Sequence, residues 1–292
     1  MILGVGTQSA SRHQGLRFGG RTAKAIALGA TVTLRLYHRD APHVAAMAMQ
    51  EIRRLETIFS LYQTDSARSR LNRDGILAAP LFELLDCLTI AGAVHRASRG
   101  RFDPTIQPLW QAEARMLELG GALTLAQRAE LMAHVGWDGV TLAAEAITLR
   151  HGMALTLNGI AQGYIADRVA ALLASNGLSR ALIDTGEMIA LPDGNWSVQL
   201  AEGGNLALQN RALATSVPRG MTFGGDGVTS HIFNPATGRP VVSRWRSITV
   251  SAGSAAVADA LSTACSLFDS KAEATALCAA FPGAVLESAV SL

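Results

Sequence analysis

The sequence predicts an α+β fold with mixed or antiparallel sheets and packed helices, and three observations carry that expectation. Strands and helices alternate irregularly, without the regular βα repeat that builds a doubly wound parallel sheet. From about residue 140 the texture turns to short β-rich stretches broken by Gly, Asn and Asp, several spaced as hairpins. Over residues 41–135, by contrast, apolar positions recur at helical spacing, so this part of the chain reads as a helical N-terminal lobe.

Residues 26–37, IALGATVTLRLY, alternate in part and are rich in β-formers, which predicts a first strand; residues 1–25 then form an N-terminal extension to a domain of 26–292. A helix follows over 41–60, then a polar loop, QTDSARSRLNRDG, and a second helix over 80–99. The segment GRFDPTIQPLW breaks the pattern, because a proline inside a helix removes an amide donor and clashes with the preceding turn. Helical spacing returns over 109–119 and 123–134, the latter opened by Thr124, whose hydroxyl suits an N-cap. VTLAAEAITLR, MALTLN, ALIDTGEMIALP, WSVQLA and LALQNRALATS then read as strands. One helix, GYIADRVAALLASNG, interrupts them and ends at Gly177, where left-handed backbone is tolerated. WRSITVSA reads as a further strand and GSAAVADALSTACSLF as a buried helix.

The 292 residues are enough to bury a sizeable core. With 16% charged and 49% hydrophobic residues the chain is not of disordered composition. A net charge of +2, without a basic run interleaved with aromatics, argues against nucleic acid as a partner. The mean hydropathy of +0.24 comes from Ala and Gly; no apolar run approaches the roughly 18 residues of a membrane span, so a soluble globular protein is expected. Cys87, Cys265 and Cys278 show neither CxxC nor zinc spacing, and their apolar neighbours predict buried thiols. The first residues, MILGVGTQSASRHQGLRFGG, lack the charged, apolar and small-residue order of an export signal, which at face value means the cytoplasm.

Three segments could carry chemistry. Asp259 and Thr263 stand at i and i+4 on a buried helix, so both side chains share one face. A carboxylate and a hydroxyl one turn apart can give two oxygens to a hard cation such as Mg²⁺; equally, the threonine can bond back to an i−4 carbonyl. LNGIAQGYIAD, residues 157–167, leads through two glycines into a helix, which can set a phosphate at a helix N-terminus or simply make a turn. In TSHIFNPATGRP, His231 precedes a Pro/Gly turn, where a side chain titrating near neutral pH can act as a base or stay structural. FSLYQTDSARSRLN and GRFDPT are polar loops of the kind that contact ligands or cap helices. Neither GxSxG nor HExxH occurs.

The order of these segments is more specific than any one of them. FSLYQTDSARSRLN, GRFDPTIQPLW, LNGIAQGYIADRV, IDTGEM, ATS with HIFNPATGRP, and ADALSTA together resemble the ApbE family from about residue 28 to about 268. That resemblance implies an ApbE-like (T-fold-like) architecture and Mg²⁺-dependent transfer of FMN from FAD to a Ser or Thr hydroxyl of a client protein, with release of AMP. By motif position it implies metal ligation by Asp259, Thr263 and the main-chain carbonyl of Gly159. It implies flavin contacts at Leu28, Tyr62, Arg101, Phe102, Asp103, Thr156, Gln162 and Phe233, and a base at His231. By resemblance the client is a membrane redox subunit. Many family members carry Asp where Thr156 stands, Lys or Glu at the position of Gln162, and Met at that of Leu28. Members are often exported through a lipoprotein or twin-arginine signal. Two other readings fit the same residues: an Mg²⁺-dependent FAD pyrophosphatase, and a flavin-binding protein without catalysis.

Overall fold

The computed structural model describes residues 20–27, 30–201, 203–220, 222–223 and 229–292. The described residues open with an antiparallel pair, β1 (Arg21–Ala27) and β2 (Ala30–Leu36), so the sheet begins inside the stretch that the strand pattern assigns to an extension. Pairing from Arg21 opposite Leu36 explains the difference: β1 is a sheet edge, where one-sided exposure leaves little apolar periodicity to read.

The helices α1 (Ala41–Phe59), α2 (Ala67–Asp74) and α3 (Phe82–Ala97) follow, with β3 (Ile76–Ala78) between the last two. The sequence reading made 63–75 a loop; it holds α2, because Ser66 caps the helix by accepting from the Ser69 amide and Gly75 ends it at φ +71°. Its polar composition had hidden Leu71, which is fully buried. The helices α4 (Gln107–Glu118) and α5 (Leu125–Met132) complete the helical region, α5 with the Thr124 cap closed reciprocally by Gln127.

VTLAAEAITLR splits into β4 (Val140–Leu142) and β5 (Ala146–Leu149), which join β3 in a small sheet. MALTLN is no strand: residues 153–157 run without a ladder, held instead by Asn72, whose side chain bonds both the amide and the carbonyl of Leu155. Then come α6 (Ala161–Ser175), β6 (Ala181–Asp184), β7 (Met188–Ala190), β8 (Trp196–Gln199), β9 (Asn205–Leu208) and β10 (Ala212–Ser216). Two short hairpins follow, β11 (Thr222–Phe223) with β12 (Thr229–Ser230) and β13 (Phe233–Asn234) with β14 (Arg239–Pro240). The chain ends with β15 (Trp245–Ala252), α7 (Ala255–Cys265), α8 (Lys271–Ala279) and β16 (Val285–Ser291).

The main sheet has the order β1-β2-β6-β7-β10-β15-β16, and every pairing in it is antiparallel. Val32, Leu34 and Leu36 of β2, Ala212 and Ala214 of β10, and Ile248, Val250 and Ala252 of β15 belong to one core shared with α1, α3, α6 and α7. Leu213 of β10 looks the opposite way, into a smaller cluster with Leu182, Met188, Val198 and Leu208 under the β8–β9 hairpin. Small residues let α7 lie close to the sheet: Ala255, Ala256, Ala258, Ala260 and Ala264 are all fully buried. Among the described residues no helix is long and apolar enough to cross a membrane.

Candidate functional site

The site is assembled where α6 crosses α7 beside the end of β10. A Cβ on Gly163 would stand 2.3 Å from the Ala255 carbonyl oxygen, so glycine is what lets the two helices approach. The Gly163 N–H is directed at Asp259 Oδ2, 3.4 Å away. Four residues upstream, a Cβ on Gly159 would stand 2.8 Å from Thr263 Oγ1, so the backbone of the LNGIA turn lies against that hydroxyl. Gly159, Asp259 and Thr263, far apart in sequence, therefore meet at this crossing.

Two further residues fix α7 in place. Asp167 of α6 accepts from Ser254 Oγ (2.7 Å) and from the amides of Ala255 (2.7 Å) and Ala256 (2.9 Å), capping α7 from the neighbouring helix. Ser216, the last residue of β10, bonds Ser262 Oγ at 2.7 Å and Thr263 Oγ1 at 3.4 Å. The back-bonding hydroxyls here are Ser262 of α7, which donates to the Asp259 carbonyl, and Ser266 just past its end, which donates to that of Thr263; Thr263 itself reaches across to β10. Asp167 lies in LNGIAQGYIADRV and Ser216 in ATS, and neither residue type by itself marks a site. Asp167 falls one turn after Gly163, on the same helix face, and that register was its signal.

The third side is the turn Thr185-Gly186-Glu187 between β6 and β7. Thr185 donates its hydroxyl to the Gln162 carbonyl at 3.0 Å, and Gly186, at φ +107°, leaves room for the Gln162 amide. The Glu187 carboxylate accepts from the Thr215 backbone, while its Oε2 is buried without a hydrogen-bond partner.

These carboxylates sit in an environment that disfavours their charge. Burial pushes Asp259 up to about 8, opposed by the Gly163 N–H and assisted by the negative charge of Asp167. Burial raises Glu187 well above the ordinary range, and the charge of Asp259 adds to it. Asp167 is raised by burial against the pull of its three helix-capping bonds. Among the described residues neither Asp259 nor Glu187 has an ion-pair partner. Asp259 and Thr263 offer a carboxylate and a hydroxyl beside the backbone of Gly159, oxygen donors of the hard kind that Mg²⁺ takes; the described residues hold no cluster of three or more His, Cys, Asp or Glu side chains that could bind a metal ion. The unpartnered oxygen Oε2 of Glu187 is of the same hard kind.

The positions implied as flavin contacts fall differently. Gln162 and Thr156 border the crossing: Gln162 lies over Gly186, and the Thr156 amide donates to the Pro104 carbonyl at 2.8 Å, which joins the RFDPT loop to the approach of α6. Arg101 stacks over Phe268, just beyond α7, at 4.3 Å. Asp103 is used by its own loop: its Oδ1 accepts from the Thr105 amide and hydroxyl, and His95 lies 3.6 Å from Oδ2. Phe102 is buried, and Phe233 is packed with Ile106 and Leu109, next to Met132 and Val135. Tyr62, 78% exposed, is free to meet a ligand. His231 is half-buried between β12 and β13, where the amide of Ile232 donates to Ser230 Oγ. Leu28 lies outside the described residues. All three cysteines are free and buried, as their apolar surroundings indicated.

Fold and site define an α+β protein with a cluster of oxygen-bearing groups at a helix crossing. The chain belongs to the ApbE family, whose sequence profile matches residues 28–285. It is 26% identical over 242 residues to the FAD:protein FMN transferase of Klebsiella pneumoniae, an alignment covering 77% of this chain and 75% of that relative. The fold is similar to that of the apo flavinyl transferase ApbE of Pseudomonas stutzeri, with a TM-score of 0.78 at 22% identity and 94% of each chain covered. It is also similar to that of the ApbE protein of Thermotoga maritima, with a TM-score of 0.77 at 23% identity, covering 88% of this chain and 90% of that one.

Proposed function

We propose that this protein is an FAD:protein FMN transferase that moves FMN from FAD to a Ser or Thr hydroxyl of an acceptor protein. The observation that carries the reading is the convergence of Gly159, Asp259 and Thr263 at one helix crossing in a chain of this family. In the reaction the acceptor oxygen bonds to the FMN phosphorus, the bond from that phosphorus to the AMP oxygen breaks, and the acceptor proton passes to a base. His231 is that base by its place in the HIFNPATGRP motif.

Asp259, Thr263 and the Gly159 carbonyl hold Mg²⁺, which when bound offsets the charge of the pyrophosphate. Asp167 and Ser216 orient α7, so that Asp259 and Thr263 keep their geometry without a rearrangement during turnover. Tyr62, Arg101 and Gln162 contact the flavin nucleotide, and Thr156 adds a neutral hydroxyl to that set. Phe102, Asp103 and Phe233 shape the wall on that side, and Leu28 joins the flavin contacts by its motif position alone. The acceptor is a redox protein subunit at a membrane.

The test is mass spectrometry of a candidate acceptor domain after incubation with the protein, FAD and Mg²⁺. A mass gain of one FMN, abolished by EDTA, is the expected result. Cleavage of FAD to FMN and AMP without a mass gain would replace the transferase with a pyrophosphatase, and FAD held uncut would leave a binding protein. His231→Ala is expected to spare FAD binding and slow transfer; normal transfer by that variant would remove His231 from the chemistry.

A further inference from the structure

The family motifs explain Asp259 and Thr263 but give no task to the second carboxylate buried beside them. Glu187 belongs to a turn that is stitched to the site from two directions. On one side Thr185 is bonded to the carbonyl of Gln162, and the N–H of the same peptide unit, on Gly163, is the one directed at Asp259. On the other side the Glu187 carboxylate takes its backbone bond from Thr215, whose neighbour Ser216 reaches Thr263. The turn therefore holds Glu187 within reach of the Asp259 charge.

Its second oxygen, Oε2, is shielded from solvent and has no hydrogen-bond partner. Neither Glu187 nor Asp259 has an ion-pair partner among the described residues. Two carboxylates within reach of each other's charge must either stay protonated or pair with a cation, and an apolar residue or an amide would build the same turn with neither requirement. We propose that Glu187 is a further carboxylate of the cation site, binding the divalent ion together with Asp259 and Thr263 and giving the site two negative charges. The inference rests on the Mg²⁺ reading above. Added ligand charge raises affinity for a hard divalent cation, so this chain would hold its ion more tightly than one carboxylate allows.

The experiment titrates Mn²⁺, as an EPR-visible substitute for Mg²⁺, into chelator-stripped protein saturated with FAD and reads the free-ion signal. Glu187→Gln keeps the shape and an oxygen to accept the Thr215 bond but drops the charge. It is expected to weaken Mn²⁺ binding about tenfold or more, with a cation-free melting temperature equal to or above that of the wild type. Wild-type affinity in that variant would overturn the inference, and a fall in cation-free stability with affinity kept would make Glu187 structural. If Glu187→Gln does not fold, Glu187→Asp is titrated instead: its carboxylate is drawn back by one methylene, and unchanged affinity would again overturn the inference. Asp259→Asn separates the two claims. Loss of binding there with binding kept in Glu187→Gln removes Glu187 alone, whereas wild-type protein that takes up no Mn²⁺ removes the Mg²⁺ reading as well.

Discussion

The two sides of the site are built on opposite principles. On the α6–α7 side the residues are small, and close backbone approach at Gly159 and Gly163 brings charged and hydroxyl groups together with little packing of their own. On the side of the RFDPT loop and the β13–β14 hairpin, bulky groups are spent on scaffolding. Phe233 fills an apolar cluster with Ile106 and Leu109, Asp103 ties down its own turn, and Arg128 clamps the Gly238 carbonyl while pairing with Glu113 at 2.7 Å. The first side leaves Oε2 of Glu187 without a hydrogen-bond partner; on the second, Asp103, Arg128 and Glu113 are all bonded, and the exception is the buried Oε1 of Gln107. The lesson is that a motif residue can serve function or architecture, and that partner satisfaction tells which: Asp259 and Glu187 lack the charge partners that a structural carboxylate acquires.

Substitutions on the two sides should separate accordingly. The largest effect is expected for Asp259→Asn, which should lower FMN transfer by on the order of 10³-fold while leaving the circular-dichroism spectrum intact. A variant that transferred FMN normally would make the α6–α7 side structural too. Phe233→Ala on the other side should cost about 3 kcal/mol of stability in denaturant titration, as a buried aromatic removed from a packed cluster; a stable variant with a raised KM for FAD would instead make Phe233 a flavin contact. Gly163→Ala should cost about 2 kcal/mol or more, since the new methyl group meets the fixed backbone of Ala255. Transfer should fall further than stability accounts for, because the helix crossing sets the spacing of Asp259 and Thr263.

Smaller effects distinguish the exposed and buried members of the flavin-side set. Tyr62→Ala should leave stability within about 0.5 kcal/mol of the wild type and weaken FAD binding by about fivefold, read by fluorescence quenching. The least effect is expected at Asp103. Burial raises its carboxyl above the ordinary value, against the Thr105 bonds that lower it. The native state therefore holds this proton to a higher pH than the unfolded chain does, and the contribution to stability falls as pH rises from the unfolded value through the folded one. Asp103→Asn should flatten that part of the melting-temperature profile by a fraction of a kcal/mol; an unchanged profile would place the titration elsewhere.

Much of the fold could be read in the sequence because periodicity is local. The apolar spacing of 41–60 and 80–99, the Thr124 cap and the glycine end at Gly177 gave helices where they occur. The failures share one cause. The helix Ala67–Asp74 is polar and rests on a Ser66 cap and one buried Leu71; residues 153–157 are apolar but find no strand partner; β1 is an edge whose pairing lies in β2. In each case a neighbour outside the segment decides the state.

The sequence by itself determined the α+β class, the helix that carries Asp259 and Thr263 on one face, and the motif order that marks the family, because each is written within a single segment or in the order of segments. The tertiary structure alone decided that Gly159 and Gly163 face that helix, that Asp167 and Ser216 hold it, and that one carboxylate oxygen of Glu187, in reach of the Asp259 charge, is shielded without a hydrogen-bond partner. The physical reason is that desolvation and partner satisfaction belong to the space around a group, and that space is filled by residues from α6, α7, β10 and the turn before β7, which only the folded chain brings together.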